Sequence, residues 1–413
     1  MASAATSAIV RVSVSSTGEQ SNGATLGVSI SGTGRWVAFS SYASNLVPSD
    51  TNARSDIFVR DLDTNRTELV SVSSSGTHGN LGSYSPVIST NGRWIAFSSY
   101  ANNLIPGDRN GEPDVFVHDL TTGTTEVVSI SSSGEAGNNG SLLPSISGDG
   151  ARVAFQSYAS NLVAGDSNGV PDVFMRDRTT GNTELVSQSS SNHQGTARSG
   201  DSLAISGNGS TVAFQSTAHN LVPNDANRAI DIFVRHLDTG KTILASVSSS
   251  GGQGLGGSST SPSLSPGGER VVFSSFANNL VANDTTGPES QDIFLHDLRD
   301  GTTQLASVNS SGEQGNGSST LASIRRSLVL FQSGATNLVP NDTSTGRDIF
   351  VHNLNTGETE AIDVGPSGEL GSFSFNPSMS GDGSRIAFAS YDGALVPDDT
   401  NGFYDAFVRK ASN

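Results

Sequence analysis

Residues 85–130 read SPVISTNGRWIAFSSYANNLIPGDRNGEPDVFVHDLTTGTTEVVSI. Four short runs in this stretch are rich in β-branched or aromatic residues, and Gly, Asn, Pro or Ser bounds each run, as is typical of strands. No window shows a sustained apolar period of 3.6 residues, so we expect no helix longer than a single turn. The stretch therefore predicts four antiparallel strands, with a long polar segment over residues 100–113 between the second and the third.

The same pattern recurs seven times along the chain, at a period of 57 to 59 residues. The marker is an Asn-Leu-aliphatic step, with Ala394 in place of Asn in the last unit, whose leucine falls at Leu46, Leu104, Leu162, Leu221, Leu280, Leu338 and Leu395. A fixed period of this length indicates a repeat architecture. Four antiparallel strands repeated radially form the blades of a β-propeller.

The two ends of the chain predict how the ring closes. The seventh unit stops after its third strand, residues 405–409, whereas residues 12–18 match the fourth strand and following turn at residues 70–76. We therefore expect residues 8–15 to complete the last blade, which leaves no open sheet edge. The prediction is an all-β, seven-bladed β-propeller that forms a single domain over residues 8–410. Its blades, numbered one to seven, cover about 24–75, 82–132, 141–190, 200–249, 259–308, 318–364, and 374–410 together with 8–15.

Composition excludes several functional classes. The 413 residues contain no cysteine, so the protein has no disulfide, no thiol nucleophile and no cysteine-based metal site. The net charge is −17, and Lys241 and Lys410 are the only lysines. Because phosphate binding requires clustered basic residues, nucleic acid is not an expected partner.

The sequence also carries hints about location. It has no apolar run long enough for a transmembrane helix, and its first residues lack the basic and apolar regions of a signal peptide. Richness in Ser, Thr, Asn and Gly, together with the scarcity of lysine, favours a bacterial protein that is secreted, periplasmic or on the cell surface.

Recurring motifs relate the chain to a known repeat class. The turn between the first two strands is Ser-x-x-Gly at residues 31–34, 89–92, 147–150, 206–209, 265–268 and 380–383. An aliphatic-Ala-Phe strand and then Asp-(Ile/Val)-Phe follow it. These motifs resemble the repeats of TolB-type (PD40, WD40-like) β-propellers over essentially all residues from 8 to 410. The resemblance implies the fold. It implies no activity, because the chain lacks the additional α/β domain of TolB and any hydrolase domain.

Two long connections in each unit are expected on one face of the propeller, here called the long-loop face. They join the second strand to the third and the fourth strand to the next unit, and loops on a rigid scaffold commonly carry function. Blade six departs from the pattern on the opposite face, the tight-turn face, where Arg325-Arg326-Ser327 replaces the glycine turn.

The long loops contain a repeated acidic motif, Asp-x-Asn followed by a second Asp, which makes this face acidic. Oxygen ligands on a turning loop are what Ca²⁺ requires, so these residues are candidate ligands. The alternative is that the first residues form Asx-turns and the second Asp accepts loop hydrogen bonds. The candidates are Asp50, Asn52, Asp56, Asp108, Asn110, Asp114, Asp166, Asn168, Asp172, Asp225, Asn227, Asp231, Asp399, Asn401 and Asp405.

Other repeated residues suggest binding or bracing. Tyr42, Tyr100, Tyr158 and Tyr391 end the second strand of their blades, where a ring could stack on a sugar or pack between blades. The Asn before the marker leucine is expected to brace the loop. His118, His296 and His352 exchange with arginine at the end of the third strand, which predicts an exposed cationic position.

No blade combines a nucleophile, a base and an orienting group, the convergence that an active site needs. Near-equivalent sites instead suit multivalent binding. The sequence therefore predicts a non-enzymatic propeller whose long-loop face binds a polysaccharide or a protein. The alternative is a polysaccharide-acting lyase or hydrolase with its site in the central funnel.

Overall fold

The computed structural model describes residues 9–48, 50–108, 110–344 and 346–410. Within these ranges the protein is all-β, without a helix, and its 28 strands form seven four-stranded antiparallel sheets. The seven-bladed β-propeller predicted from the repeat is confirmed.

Each blade runs from an inner strand near the central axis to an outer strand. The inner strands are β2 (Thr25–Ile30), β6 (Ser83–Ile88), β10 (Ser141–Ile146), β14 (Ser199–Ile205), β18 (Ser259–Leu264), β22 (Ser319–Arg325) and β26 (Ser374–Met379). The second strands are β3 (Trp36–Ser41), β7 (Trp94–Ser99), β11 (Arg152–Ser157), β15 (Thr211–Ser216), β19 (Arg270–Ser275), β23 (Leu328–Ser333) and β27 (Arg385–Ser390).

The third and fourth strands complete each blade. The third strands are β4 (Asp56–Asp61), β8 (Asp114–Asp119), β12 (Asp172–Asp177), β16 (Asp231–His236), β20 (Asp292–Asp297), β24 (Asp348–Asn353) and β28 (Asp405–Lys410). The outer strands are β5 (Arg66–Leu69), β9 (Thr125–Val127), β13 (Asn182–Leu185), β17 (Lys241–Leu244), β21 (Thr303–Leu305), β25 (Thr359–Ala361) and, from the start of the chain, β1 (Ile9–Arg11).

Strand β1 closes the ring as the sequence predicts. It pairs antiparallel with β28, with Ile9 opposite Arg409, and the last blade has the order β1-β28-β27-β26. The contact continues beyond the strand, because Val12 N donates to Ala406 O at 2.7 Å and Ser13 Oγ to Asp405 Oδ1 at 2.5 Å. Residue 8, which the prediction included, lies outside the described residues.

The core lies between neighbouring blades rather than in one central mass. In each blade a phenylalanine on the second strand faces one on the third, as Phe39 faces Phe58, and the ring centroids are 5.7 to 6.1 Å apart. These rings are fully buried. Truncating such a ring to alanine typically costs about 3–5 kcal/mol. Thin sheets that bury both faces explain how 34% hydrophobic residues suffice.

The inner strands surround the axis and carry a bulge. The pairing of each inner strand with the second strand shifts register near its midpoint, as between Tyr84 and Val87. Five non-glycine residues at the bulge have positive φ, between 51° and 55°: Ser85, Leu143, Ser261, Leu321 and Asn376. Bulges re-aim side chains and are frequent beside functional sites, so the bulged ring directs attention to the channel mouth.

Candidate functional site

The four tyrosines predicted to contact a ligand are half-exposed. Tyr42, Tyr100, Tyr158 and Tyr391 have 46%, 44%, 39% and 50% of their surface accessible. They follow the second strand of their blades, at the long-loop end. A ring this exposed presents part of its face to solvent, which a ring packed fully between blades does not.

Further aromatic side chains join these tyrosines. Tyr84, on inner strand β6, packs edge-on against Tyr100 with centroids 6.3 Å apart. In blade seven, Tyr404 contacts Phe375 at 5.1 Å and Tyr391 at 5.2 Å. We call the seven residues together the aromatic arc: Tyr42, Tyr84, Tyr100, Tyr158, Phe375, Tyr391 and Tyr404.

The arc occupies one side of the ring. Its members belong to blades seven, one, two and three, which are consecutive around the axis because blade seven packs against blade one. In blades four and six the position of the exposed tyrosine is held by Thr217 and Gly334, and in blade five by the half-buried Phe276. The sequence signalled four of the seven aromatic residues by their repetition. It did not signal Tyr84 and Phe375, which share the second position of the inner strand in only two blades, or Tyr404, which occurs once at its position.

A cavity of about 520 Å³ opens beside the arc at the channel mouth. Tyr84, the bulge residues Ser85, Ser261 and Leu321, and the neighbouring Pro262 are among its lining residues. Among the described residues that line it there is no carboxylate, imidazole, amine or guanidinium. Burial raises the pKa of Tyr84 to about 12, so its hydroxyl stays protonated at neutral pH. The described lining of this cavity therefore offers stacking surfaces and hydrogen bonds, while Asp201, paired with Arg198, precedes the lining residue Ser202 on β14.

The acidic loops form internal hydrogen-bond networks. In blade one, Asn52 Nδ2 donates to Asp56 Oδ2 at 2.7 Å and to Gly79 O at 2.9 Å, which ties the two long connections together. Asn52 Oδ1 accepts from Arg54 N at 2.8 Å, the geometry of an Asx-turn. Ser71 Oγ donates to Asp56 Oδ1 at 2.7 Å. Equivalent Asx-turns are formed by Asn110, Asn168, Asn227 and Asn401.

Glutamines or an arginine add donors in several blades. Gln194 Nε2 donates to both Asp166 and Asp172, at 2.7 and 2.8 Å. The equivalent Gln20, Gln253 and Gln314 bridge the aspartates of blades seven, four and five. In blade seven the Arg11 guanidinium also lies 3.4 Å from Asp399 and 3.6 Å from Asp405.

These donors bear on the predicted calcium ligands. The side-chain nitrogens of asparagine and glutamine face the carboxylates, where a cation would require oxygens. Within the described ranges, no group of three His, Asp or Glu side chains is arranged to hold a metal ion. Burial raises the pKa of Asp56 and of Asp114 to about 6. As they stand, the loops fit hydrogen-bonded bracing; calcium binding stays a prediction for solution experiments.

Blade six lacks the donors found elsewhere. Asp363 occupies the position of Ser71, and Leu370 occupies that of the bridging glutamine. Asp342 Oδ2, Asp348 Oδ1 and Asp363 Oδ2 are buried without a hydrogen-bond partner among the described residues. Burial and the neighbouring Asp363 raise the pKa of Asp348 to about 8, and burial raises that of Asp363 to about 6. This acidic cluster could have been recognised in the sequence, because Asp363 stands where the other six repeats have serine. The sequence analysis did not identify it.

The asparagine before the marker leucine, present in blades one to six and replaced by Ala394 in blade seven, braces the long loops as expected. Asn45 Oδ1 accepts from Asn22 N at 3.0 Å, and Asn45 Nδ2 donates to Gln20 O at 2.8 Å. The same pair of bonds recurs around Asn103, which accepts from Asn80 N and donates to His78 O.

The prediction of an exposed cationic position at the third-strand histidines is wrong. His118, His296 and His352 are only 5%, 5% and 7% exposed, and each bonds a threonine hydroxyl through Nδ1 at 2.8 to 2.9 Å. Burial lowers the pKa of all three. Arg60 at the same position reaches Ser15 O of the preceding loop at 3.0 Å. His and Arg exchange there because both bond the threonine hydroxyl of the adjacent outer strand, as His118 bonds Thr125 and Arg60 bonds Thr67.

Comparison with known proteins agrees with the fold. No protein-family profile and no curated protein matches the chain. Similar solved structures include an oligogalacturonate lyase from Vibrio parahaemolyticus, with 14% identity, a TM-score of 0.56, and coverage of 100% of this chain and 95% of that one. The β-propeller domain of the Trilobed protease from Pyrococcus furiosus has 11% identity and a TM-score of 0.56, over 94% and 96% of the two chains. TolB from Acinetobacter baumannii has 15% identity and a TM-score of 0.42, over 82% and 62%. At these identities the likeness concerns the fold alone, and the β-propeller fold that the resemblance of the repeats implied is confirmed.

The structure also bears on membrane association. No helix in the described part of the chain has the length and apolarity needed to cross a bilayer.

Proposed function

We propose that this protein is a non-enzymatic binding propeller, secreted, periplasmic or at the surface of a bacterium, that holds a polysaccharide against the aromatic arc. The observation that carries the proposal is the half-exposure of Tyr42, Tyr100, Tyr158 and Tyr391 on four consecutive blades. Exposing aromatic surface to water is unfavourable. A ligand with apolar faces and polar edges would cover the rings and remove that surface from water.

The surroundings of the arc suit a sugar chain. Exposed amides and hydroxyls stand in pairs across the two long loops, as Asn22 with Ser44 and Asn80 with Asn102. These uncharged groups can exchange hydrogen bonds with sugar hydroxyls. The adjoining cavity at the channel mouth accepts part of a sugar chain, and its lining is uncharged among the described residues.

The same lining favours a binding role over an enzymatic one, because it supplies few groups that can transfer a proton. A lyase or hydrolase needs a base or acid within hydrogen-bond reach of the reacting group. The mouth cavity supplies only Tyr84, whose raised pKa makes it a poor proton donor or acceptor at neutral pH. The similar oligogalacturonate lyase keeps a polysaccharide-acting enzyme as the alternative, although 14% identity transfers no activity.

A binding experiment on single tyrosine variants tests the proposal. Wild type is screened on a glycan array, and its affinity for the best ligand is compared with those of Tyr42→Ala, Tyr100→Ala and Tyr391→Ala. At about 0.5–1.5 kcal/mol for each aromatic contact, each variant should bind roughly 2- to 13-fold more weakly. Thr217→Ala, at the equivalent position in blade four, is the matched control and should bind like wild type.

Three outcomes would overturn this proposal. A blank array combined with capture of a native protein through the same tyrosines identifies a protein partner instead. Shortening of polysaccharide chains during incubation identifies an enzyme. Equal losses in Thr217→Ala and the tyrosine variants show that the arc is not the binding surface.

A further inference from the structure

The narrow end of the central channel, at the tight-turn face, differs from the mouth. A cavity of about 290 Å³ lies there, and residues of all seven blades line it. Its polar wall includes the hydroxyls of Ser29, Ser145, Ser263 and Ser378. Since a water molecule takes up about 30 Å³ in the liquid, the cavity has room for a small hydrated ion or a single sugar-sized molecule.

Arg325 is the only charged residue among the described residues that line this cavity. It takes the position of the turn serine of the other six blades: Ser31, Ser89, Ser147, Ser206, Ser265 and Ser380. Those serines accept a backbone hydrogen bond from five residues further on, as Ser31 Oγ does from Trp36 N at 3.1 Å. In blade six the turn between Arg325 and Leu328 is two residues shorter, so the hydrogen bond made by the turn serine of the other blades is not needed there. An arginine here is therefore free to point along the channel.

The guanidinium of Arg325 has little compensation from the protein. Within the described residues it donates one hydrogen bond, from Nη1 to the carbonyl of the adjacent Ile324 at 2.9 Å, and it forms no ion pair. A guanidinium carries five N–H donors and keeps its charge in proteins. Two residues earlier on the same face of β22, the hydroxyl of Ser323 is buried without a partner. The serine hydroxyls that line the cavity can donate as well, since Ser29, Ser145 and Ser378 each use the oxygen to accept a backbone N–H. A guanidinium with unused donors in a wall of hydroxyls calls for an acceptor with negative charge.

The turn ring that closes this end of the channel is interrupted at the same blade. In each blade the first turn is the one between the inner and the second strand. Backbone hydrogen bonds of 2.7 to 3.0 Å join these turns in the order of blades seven, one, two, three, four and five. They run from Gly381 N to Gly32 O, Gly32 N to Thr90 O, Asn91 N to Gly148 O, Gly148 N to Gly207 O, and Asn208 N to Pro266 O. Among the described residues, the short turn of blade six takes no part in this series. Arg326, at its tip, adopts a φ of 53°, in the left-handed region that a non-glycine residue enters at some cost.

The surface outside the interruption contains three arginines, with Glu269, Asp297 and Asp300 close to one of them, Arg299. A second cavity of about 280 Å³ lies there, lined by Arg270, Arg299 and Arg326 together with Glu269. Pro266 lines both this cavity and the channel end, so the two adjoin. Arg270 and Arg299 share the carboxylate of Asp297, whereas Arg326 has no ion pair among the described residues. A cation without a carboxylate partner at the entrance to a confined site attracts anions.

We propose that the narrow end of the channel is a binding site for a small oxyanion, a carboxylate or a phosphate, held by the Arg325 guanidinium and the serine hydroxyls of the cavity wall. The anion enters through the tight-turn face, between the short turn of blade six and its neighbours. This site lies at the opposite end of the channel from the aromatic arc, so its existence does not depend on the function proposed for the arc.

Calorimetric titration and thermal melts in a buffer free of oxyanions test the site. The probes are inorganic phosphate and glucuronate, which present the same negative oxygens from different sources, and glucose is the neutral control. We expect one or both anions to bind and to raise Tm, and glucose to do neither. Arg325→Gln should weaken binding at least tenfold, and Arg325→Lys should retain part of it.

Two further variants make the result decisive. Arg325→Ser introduces the serine of the other blades and removes the site should the glutamine variant fail to fold. Arg326→Gln removes a neighbouring cation outside the channel and should weaken binding by less than Arg325→Gln does. Absence of binding by both anions overturns the proposal, as does wild-type affinity in the Arg325 variants. A loss in Arg326→Gln equal to that in Arg325→Gln moves the site to the surface cavity and overturns its location in the channel.

Discussion

Asp363→Ser should make the protein more stable at neutral and alkaline pH. In six blades a serine hydroxyl donates to the aspartate that starts the third strand, as Ser71 does to Asp56. Blade six places the Asp363 carboxylate opposite Asp348 instead, with Asp342 and Asp392 also contributing negative charge and Arg409 positive charge. The variant replaces an acid–acid contact by the serine–aspartate contact of the other blades.

The magnitude follows from the pKa of Asp348. That pKa is raised to about 8, whereas the serine-paired Asp56 and Asp114 are raised only to about 6. At about 1.4 kcal/mol for each pKa unit, this difference of two units amounts to about 3 kcal/mol once Asp348 is ionised. With an unfolding entropy of roughly 2 cal/mol/K per residue, a chain of 413 residues should then gain about 3 °C in Tm.

The raised pKa also fixes the direction in which stability changes with pH. The folded-state pKa of Asp348 lies above its ordinary value of 3.8, so between these values the folded protein holds a proton that the unfolded chain releases. Stability therefore falls as the pH rises through this window, and wild type carries the full penalty above pH 8. The gain of Asp363→Ser should be small near pH 4 and largest near pH 8.

Thermal melts of wild type and Asp363→Ser between pH 4 and 8.5 provide the measurement. Ser71→Asp is the matched control, since it creates the same acid pair in blade one and should lose stability over the same pH range. Parallel curves for wild type and Asp363→Ser across this range would refute the reasoning, because the two carboxylates would then not interact.

Three further predictions address closure, loop bracing and calcium. Deletion of residues 1–15 removes β1 and the Ser13 contact with Asp405, so it should cause aggregation or a large loss of Tm, whereas deletion of residues 1–8 should not; equal melts of the two truncated proteins would contradict the closure. Asn103→Ala removes the two bonds that brace the long loops of blade two and should cost about 1–3 kcal/mol in urea unfolding, against near-neutral behaviour of Asn102→Ala. After metal stripping, melts with millimolar Ca²⁺ and with chelator should coincide if amide donors satisfy the carboxylates; a shift of several degrees, corresponding to about 2.7 kcal/mol at 100-fold excess over Kd, would establish calcium in the loops.

The fold could be predicted because the sequence repeats its local signals in register. Spacing of the marker leucine fixed the number of blades, and the match of residues 12–18 with 70–76 located the strand that closes the ring. Bracing by Asn45 and its equivalents was also predictable, since a repeated loop asparagine has few other roles. These features could be predicted because they depend on residues that are close in sequence or that occupy the equivalent position in the next repeat.

Side-chain exposure was harder to predict, because it depends on packing between blades. His118 is buried and bonds Thr125, whose hydroxyl in turn donates to Val72 O of the preceding blade. Nothing in the strand of His118 itself reveals this burial. The partnership of Asp348 with Asp363 becomes visible only when strand pairing brings residues 15 positions apart together. Tyr84 and Tyr404 escaped notice because each occurs at its position in a single blade.

Repetition itself separates structural from functional residues in this ring. The acidic pairs and asparagines recur in most blades, and the structure engages them in hydrogen bonds within and between the long loops. A ligand that contacted such equivalent groups would have no reason to prefer one side of the ring. The aromatic arc and Arg325 are different, since they break the repeat, and the tyrosines of the arc stay half-exposed while Arg325 donates only one hydrogen bond among the described residues. If the protein bound its ligand through seven equivalent weak sites, as the sequence suggested, substitutions in any one blade should reduce the affinity by the same small factor. Because the exposed tyrosines lie only on blades seven, one, two and three, substitutions there should weaken ligand binding while equivalent substitutions on blades four to six leave it unchanged.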